Sequence, residues 1–138
     1  MNIALSPAAP LDLDAAILDR IADAIVYCDR EGMIARWNPA AERLFGFSRD
    51  EALGQSLDLI IPEHLRAGHW RGFDAAMTNG ALRLQGRPTL TRALHRSGAA
   101  LYVEMSFAVV VDAKHEPIGS VAVARDAGER VAREKAQR

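Results

Sequence analysis

The run ALYVEMSFAVVVD, residues 100–112, constrains the fold most, because its residue types are strongly β-prone and its pattern has a period of two. Leu101, Val103, Met105, Phe107 and Val109 fall on one face, and Tyr102, Glu104 and Ser106 on the other. The first set must be covered. A strand of this kind therefore needs neighbouring strands and a layer of helices over its apolar side.

The flanking text supplies both. Asp12 caps a predicted helix over 12–22, in which Leu13, Ile17, Leu18 and Ile21 recur at helical steps. AIVYCD and MIARWN, with turn chemistry supplied by Asp29-Arg30-Glu31-Gly32, predict a hairpin. Asn38-Pro39 opens a short helix closed by Gly46, and Ser48 with Glu51 forms a capping box for another one that ends at Gly54. RPTLTRALHR and the run Ile118–Arg125 are further strands, the second with a face of Ser120, Ala122 and Ala124. The ending AGERVAREKAQR is helix-prone and charged, with Val131 as its large apolar anchor.

Two strands, short helices ending in a longer one, and three more strands give an α+β class: a five-stranded antiparallel sheet with the helices on one face. The expected organisation is a flexible tail at 1–11, a flanking helix at 12–22, one globular unit at 23–126 and a charged helix or linker at 127–138. A length of 138 residues suits one such unit.

The longer helix, read over Ile60–Gly80, places His69 in one stripe with Leu65, Gly72, Phe73 and Ala76, while Arg66 and Arg71 lie on the other side. An inward imidazole with a glycine beside it leaves room for something flat, and neutral imidazole is a common metal ligand. Set against this is the ordinary alternative, a core histidine satisfied by a hydrogen bond. His64, His95 and His115 are read as a first-turn, a strand-end and a turn residue.

Several chemistries are excluded by residue inventory. Cys28 is the lone cysteine, so there is no intrachain disulfide, multi-cysteine zinc site or cysteine-held iron–sulfur cluster, and a reducing cytoplasm is expected. With a net charge of -1 and basic residues interspersed with acids, no nucleic-acid surface is indicated. No apolar run is long enough for a membrane span, and MNIALSPAAPLDLD lacks the parts of a secretion signal. Nucleophile-elbow, phosphate-loop and kinase signatures are absent, and no enzyme activity is expected.

From about Ile17 to Asp126 the chain resembles a PAS domain of the S-box type. The matching text is ADAIVYCDREGMIARWNPAAERLFGFSRDEALGQSLDLIIPE, then the long helix, ALHRSG and the closing VARD. The resemblance implies a ligand-binding sensor or dimerisation module. Within the family the long helix is similar to that of haem-binding sensors of the FixL and direct-oxygen-sensor kind, whose axial histidine follows the helix-opening proline by seven residues, as His69 follows Pro62 here. The interval from His69 to the turn glycine Gly98 agrees as well.

By this resemblance haem b is the implied cofactor and His69 its iron ligand. Leu65, His69 and Phe73 would face it from the helix, with Arg87, Met105 and Phe107 across the pocket. The distal pattern is not reproduced, since Arg87 and Thr89 stand where those sensors carry a ligating methionine and an oxygen-stabilising arginine. Arg87 keeps strand parity with the arginine position, or is simply a solvated loop residue. Met105 is either a second axial ligand, which would make an electron-transfer haem protein, or core packing. The light-sensing flavin type needs a cysteine in the segment matched by GQSLDLIIP, which has none. A homodimer, with output through a separate effector protein or an output domain outside this chain, completes the expectation. The alternative from another class is a haem-free interaction module.

Overall fold

The computed structural model describes residues 10–80 and 86–137. Most of the expected tail at 1–11 lies outside them. The elements are α1 (Leu13–Arg20), β1 (Ala24–Asp29), β2 (Ile34–Trp37), α2 (Pro39–Phe45), α3 (Arg49–Ala52), a 3₁₀ turn (Leu57–Ile60), α4 (Glu63–Asn79), β3 (Thr89–Leu94), β4 (Ala100–Val111), β5 (Pro117–Asp126) and α5 (Gly128–Ala136). The five strands form one antiparallel sheet in the order β2-β1-β5-β4-β3. The expected fold class is the observed one.

Local chemistry explains most boundaries. Asn38 Oδ1 accepts from Ala41 N at 2.9 Å to cap α2, with Pro39 at the first helical position and Gly46 at the end. Ser48 and Glu51 exchange both bonds of a capping box around α3. The β1–β2 turn is held by Asp29 Oδ1, which accepts from Glu31 N at 2.9 Å and Met33 N at 3.0 Å. Gly32 in that turn has φ +81°, a region that costs a glycine nothing.

Three helices start or stop differently from the pattern reading, α3 ending at Ala52 rather than Gly54. α1 ends at Arg20 rather than 22, because the Asn38 amide donates to Leu18 O at 3.0 Å and takes a carbonyl that a further helical turn would need. α4 starts at Glu63 rather than near Ile60, because Pro62 occupies its cap and proline restrains the residue before it. Arg66 serves in place of a side-chain cap, its Nε donating to Ile61 O at 3.0 Å and its Nη2 to Asp58 O at 3.3 Å.

The sheet has one apolar face built on small residues. Ala24 pairs Ala124, Val26 pairs Ala122 and Cys28 pairs Ser120, while Met105 pairs Ala124 across the next ladder. Over this floor α2, α3 and the 3₁₀ turn bury Trp37, Phe45, Ala41, Ala52 and Ile60 against Val103 and Met105. α4 covers the rest with Phe73, Ala76 and Met77 against Cys28, Leu57, Trp70 and Val109. Gly119 lets β5 approach β1, since a Cβ there would collide with the Cys28 carbonyl and the Tyr27 ring. On the other face α5 returns across β4: Ala127 N donates to Tyr102 O at 2.8 Å, Arg130 pairs Glu104 at 2.7 Å and Val131 is buried.

Asn38 is 3% exposed and its side chain makes four hydrogen bonds, accepting from Ile25 N and Ala41 N and donating to Leu18 O and Asp23 O. Substituting Asn38→Ala strands these partners and is expected to lower unfolding stability by about 3 kcal/mol in denaturant titration.

Candidate functional site

α4 turns its buried side along Trp70, Phe73, Ala76 and Met77. The stripe drawn from helical spacing is thus displaced by about one position: Gly72 is exposed and has open space around it, so it does not make room beside His69. Leu65 and His69 are half-buried on the flank of this face. The displacement is set by Trp70, whose indole fills the space above Gly32 that a Cβ would occupy and donates from Nε1 to Asp58 Oδ1 at 2.8 Å. Neither partner is close to Trp70 in sequence.

His69 is flanked by two aromatic rings. Its imidazole meets Trp70 edge-on at 4.6 Å between centroids and lies over Phe73 at 6.3 Å, with 22° between the planes. Trp70 and Phe73 pack edge-to-face at 5.3 Å. His69 Nδ1 is buried and has no hydrogen-bond partner among the described residues. Burial pushes the imidazole below its ordinary value, and the Asp58 carboxylate pulls weakly the other way. Burial thus favours the neutral form of the ring, one nitrogen of which lacks a hydrogen-bond partner among the described residues.

The remaining residues named from sequence are distributed as follows. Phe73 is buried in the cluster beneath α4. Met105 is buried in the larger cluster with Val26, Trp37 and Phe45, and Phe107 packs against its side. Arg87 is exposed, ahead of β3. His64 is exposed, His95 bonds Ser97 Oγ at 3.0 Å beside Gly46, and His115 is an exposed turn residue. Cys28 is 1% exposed under α4, and burial pushes its thiol up to about 11. Among the described residues no three His, Cys, Asp or Glu side chains converge on a metal position. A cleft beneath α1, bounded by Leu18, Ile25, Arg36, Trp37, Asn38 and Arg49, contains none of the residues named for the cofactor.

Asp58 and Trp70 were not singled out as site residues by the pattern of the chain. A tryptophan following the histidine and an aspartate twelve residues earlier leave no periodic signal, and only the fold joins them.

A family profile described as PAS fold matches residues 12–127. The sensor protein FixL of Bradyrhizobium diazoefficiens is 44% identical over 54 residues, covering 39% of this chain and 11% of that protein. The oxygen sensor protein DosP of Escherichia coli is 26% identical over 102 residues, covering 74% of this chain and 12% of that protein. The chain thus spans only a small part of these curated relatives. A solved PAS domain from Colwellia psychrerythraea superposes with a TM-score of 0.72 at 25% identity, covering 83% of this chain and 93% of that one.

Because the folded chain holds His69 neutral, the sign of its linkage to stability follows. The imidazole's folded value lies below its unfolded one, so stability is fully present above about pH 6.5 and falls as the pH drops and the unfolded chain takes up a proton that the folded chain resists. Urea titrations between pH 7.5 and 5 should show this decline, and His69→Phe should flatten it. Gly32→Ala is expected to expel the Trp70 indole from its seat, seen as a red shift of tryptophan emission.

Proposed function

The chain belongs to the PAS family, and from that premise we propose that this sensory domain binds haem b with His69 as the axial ligand. The observation that carries the proposal is the buried, unpartnered Nδ1 of the His69 imidazole, which packs against Trp70 and Phe73. A single imidazole suits an iron whose other ligands come with a macrocycle, whereas a bare ion would need several converging donors, which the described residues do not provide. The spacing from Pro62 to His69 and the likeness to two sensor proteins, one of them an oxygen sensor, support the same assignment.

When bound, haem b supplies an iron with a coordination position open to a diatomic gas. The chain's own parts then have defined tasks. His69 would hold the iron from α4, Leu65 and Phe73 would border the group on the same helix, and Met105 and Phe107 would line it from the apolar face of β4. Arg87, exposed ahead of β3, is the cation proposed to meet a bound gas. A shift of His69 is transmitted to Trp70, and through it to the β1–β2 turn and Asp58, biasing the equilibrium between two states of the domain. The output passes to a second copy, a separate effector protein or an attached domain, in the cytoplasm, and the chain itself works as a non-catalytic receiver. The apolar side chains of α1, with Leu13 61% and Ile17 50% exposed, are the surface proposed for a homodimer.

A second reading, a haem-free interaction module, is favoured by a different observation: the apolar face of the sheet is already filled by Trp37, Phe45, Phe73 and Met77. The electron-transfer version requires Met105 opposite His69, yet Met105 packs with Val26, Trp37 and Phe45 while Phe73, beside His69, packs with Cys28, Ala76 and Met77.

Absorption spectra separate the three. Haem-reconstituted protein should show a Soret band that is lost or strongly altered in His69→Ala and retained in Met105→Leu. No band in the wild type, together with a dimeric mass by light scattering, would establish the interaction module instead. A ferrous six-coordinate spectrum that becomes five-coordinate in Met105→Leu would favour electron transfer.

A further inference from the structure

We propose that Asp58 is a positioning residue for His69, acting through the indole of Trp70 to orient the imidazole and to fix which of its nitrogens carries the proton. The proposal deepens the assignment of His69 as an axial ligand and rests on it for its purpose. Its geometry is independent of haem.

Asp58 is anchored. Its backbone N–H donates to Ser56 Oγ at 3.1 Å, and its carbonyl accepts from Ile61 N at 3.2 Å and from Arg66 Nη2 at 3.3 Å, so the 3₁₀ turn fixes where the carboxylate stands. Both side-chain contacts of that carboxylate fall on Oδ1: Trp70 Nε1 at 2.8 Å and Arg66 Nε at 3.8 Å. Oδ2 accepts no hydrogen bond among the described residues. His69 Nδ1, in turn, is buried without a partner. One indole contacts both the residue with the idle acceptor and the ring with the orphaned nitrogen, for Trp70 donates to Asp58 from Nε1 and packs against the His69 imidazole at 4.6 Å with 81° between the planes.

The chemistry of metal-bound histidine gives this arrangement a use. A ligating imidazole characteristically donates its second N–H to a carboxylate, a carbonyl or a water, which fixes the tautomer and raises the donor strength of the other nitrogen. The Asp58 carboxylate acts on the imidazole against the larger effect of burial, and Arg66 Nε lies 3.8 Å from the same carboxylate. In the haem-loaded protein Oδ2 would be the acceptor for Nδ1–H, directly or by one bridging water. Phe73 and Trp70, the two aromatic rings packed against the imidazole, have no acceptor to offer.

The test uses the full chain with Asp58→Asn, which keeps an oxygen for Trp70 while removing the charge, and Asp58→Glu, which restores it. In haem-free protein held above the imidazole's titration range, nitrogen NMR of ¹⁵N-labelled histidine, assigned with His69→Ala, reads the tautomer. The wild type should favour Nδ1–H, Asp58→Asn should shift the population toward Nε2–H, and Asp58→Glu should recover it. Trp70→Phe, which severs the link at the indole nitrogen, should reproduce the Asn result and decides the matter if Asp58→Asn fails to fold. In haem-loaded protein, Asp58→Asn should weaken haem binding about 10- to 100-fold, lower the iron–histidine stretching frequency and raise the reduction potential, with recovery in Asp58→Glu. An unchanged tautomer in both Asp58→Asn and Trp70→Phe overturns the proposal. If the wild type takes up no haem, the assignment of His69 as ligand fails, while the tautomer measurement still decides the role of Asp58.

Discussion

The amide of Asn38 is the contact on which the arrangement of the chain depends. A buried carboxamide offers two lone pairs and two N–H groups, and each one left unpaired costs stability. Here all four are used, and their partners belong to four different places: the last turn of α1, the link from α1 to β1, the strand β1 itself and the first turn of α2. No apolar residue of the same size could hold these segments in one geometry. Arg49 reinforces the junction from outside, bonding Asp19 at 2.9 Å and the Trp37 carbonyl at 3.2 Å, so the flanking helix is tied to the domain by polar contacts more than by burial.

Small side chains on the floor of the sheet have the complementary effect. Ala24, Ala122 and Ala124 sit at the crossing of β1, β5 and β4, and they leave depth for Trp37 and Phe45, whose rings meet at 5.4 Å. The interior is thereby divided into two clusters along one face, the larger under α2 and α3 and the smaller under α4. Dense packing in the first leaves the second as the place where a change at α4 can be absorbed.

Much of the fold was legible in the sequence because its signals are local. The caps at Asn38 and Ser48, the turn at Asp29–Gly32 and the alternation from Leu101 to Val109 each act within a few residues, and each is found where the pattern placed it. What escaped depends on distant partners. The end of α1 is decided by Asn38, twenty residues beyond Leu18, and the rotation of α4 by Gly32 and Asp58. The same holds at the site: spacing singled out His69 and Phe73, but the carboxylate and indole beside them come together only through tertiary contacts. The docking of α5 is also nonlocal, with Arg92 and Lys135 stacked over the Tyr102 ring at 5.3 and 5.2 Å.

The sparse anchorage of α4 has a further consequence. This helix is seventeen residues long, yet only Phe73, Ala76 and Met77 are fully buried, all in its second half. Its first two turns are held instead by Arg66 and by the Trp70 contacts to Asp58 and Gly32. A segment with so little apolar surface withdrawn from water is a low rung on the ladder of partial openings, well below the sheet. His69 is therefore carried by a part of the molecule expected to exchange its amide hydrogens before β1, β4 and β5 open, and a ligand held there would protect those amides before it altered anything in the larger core.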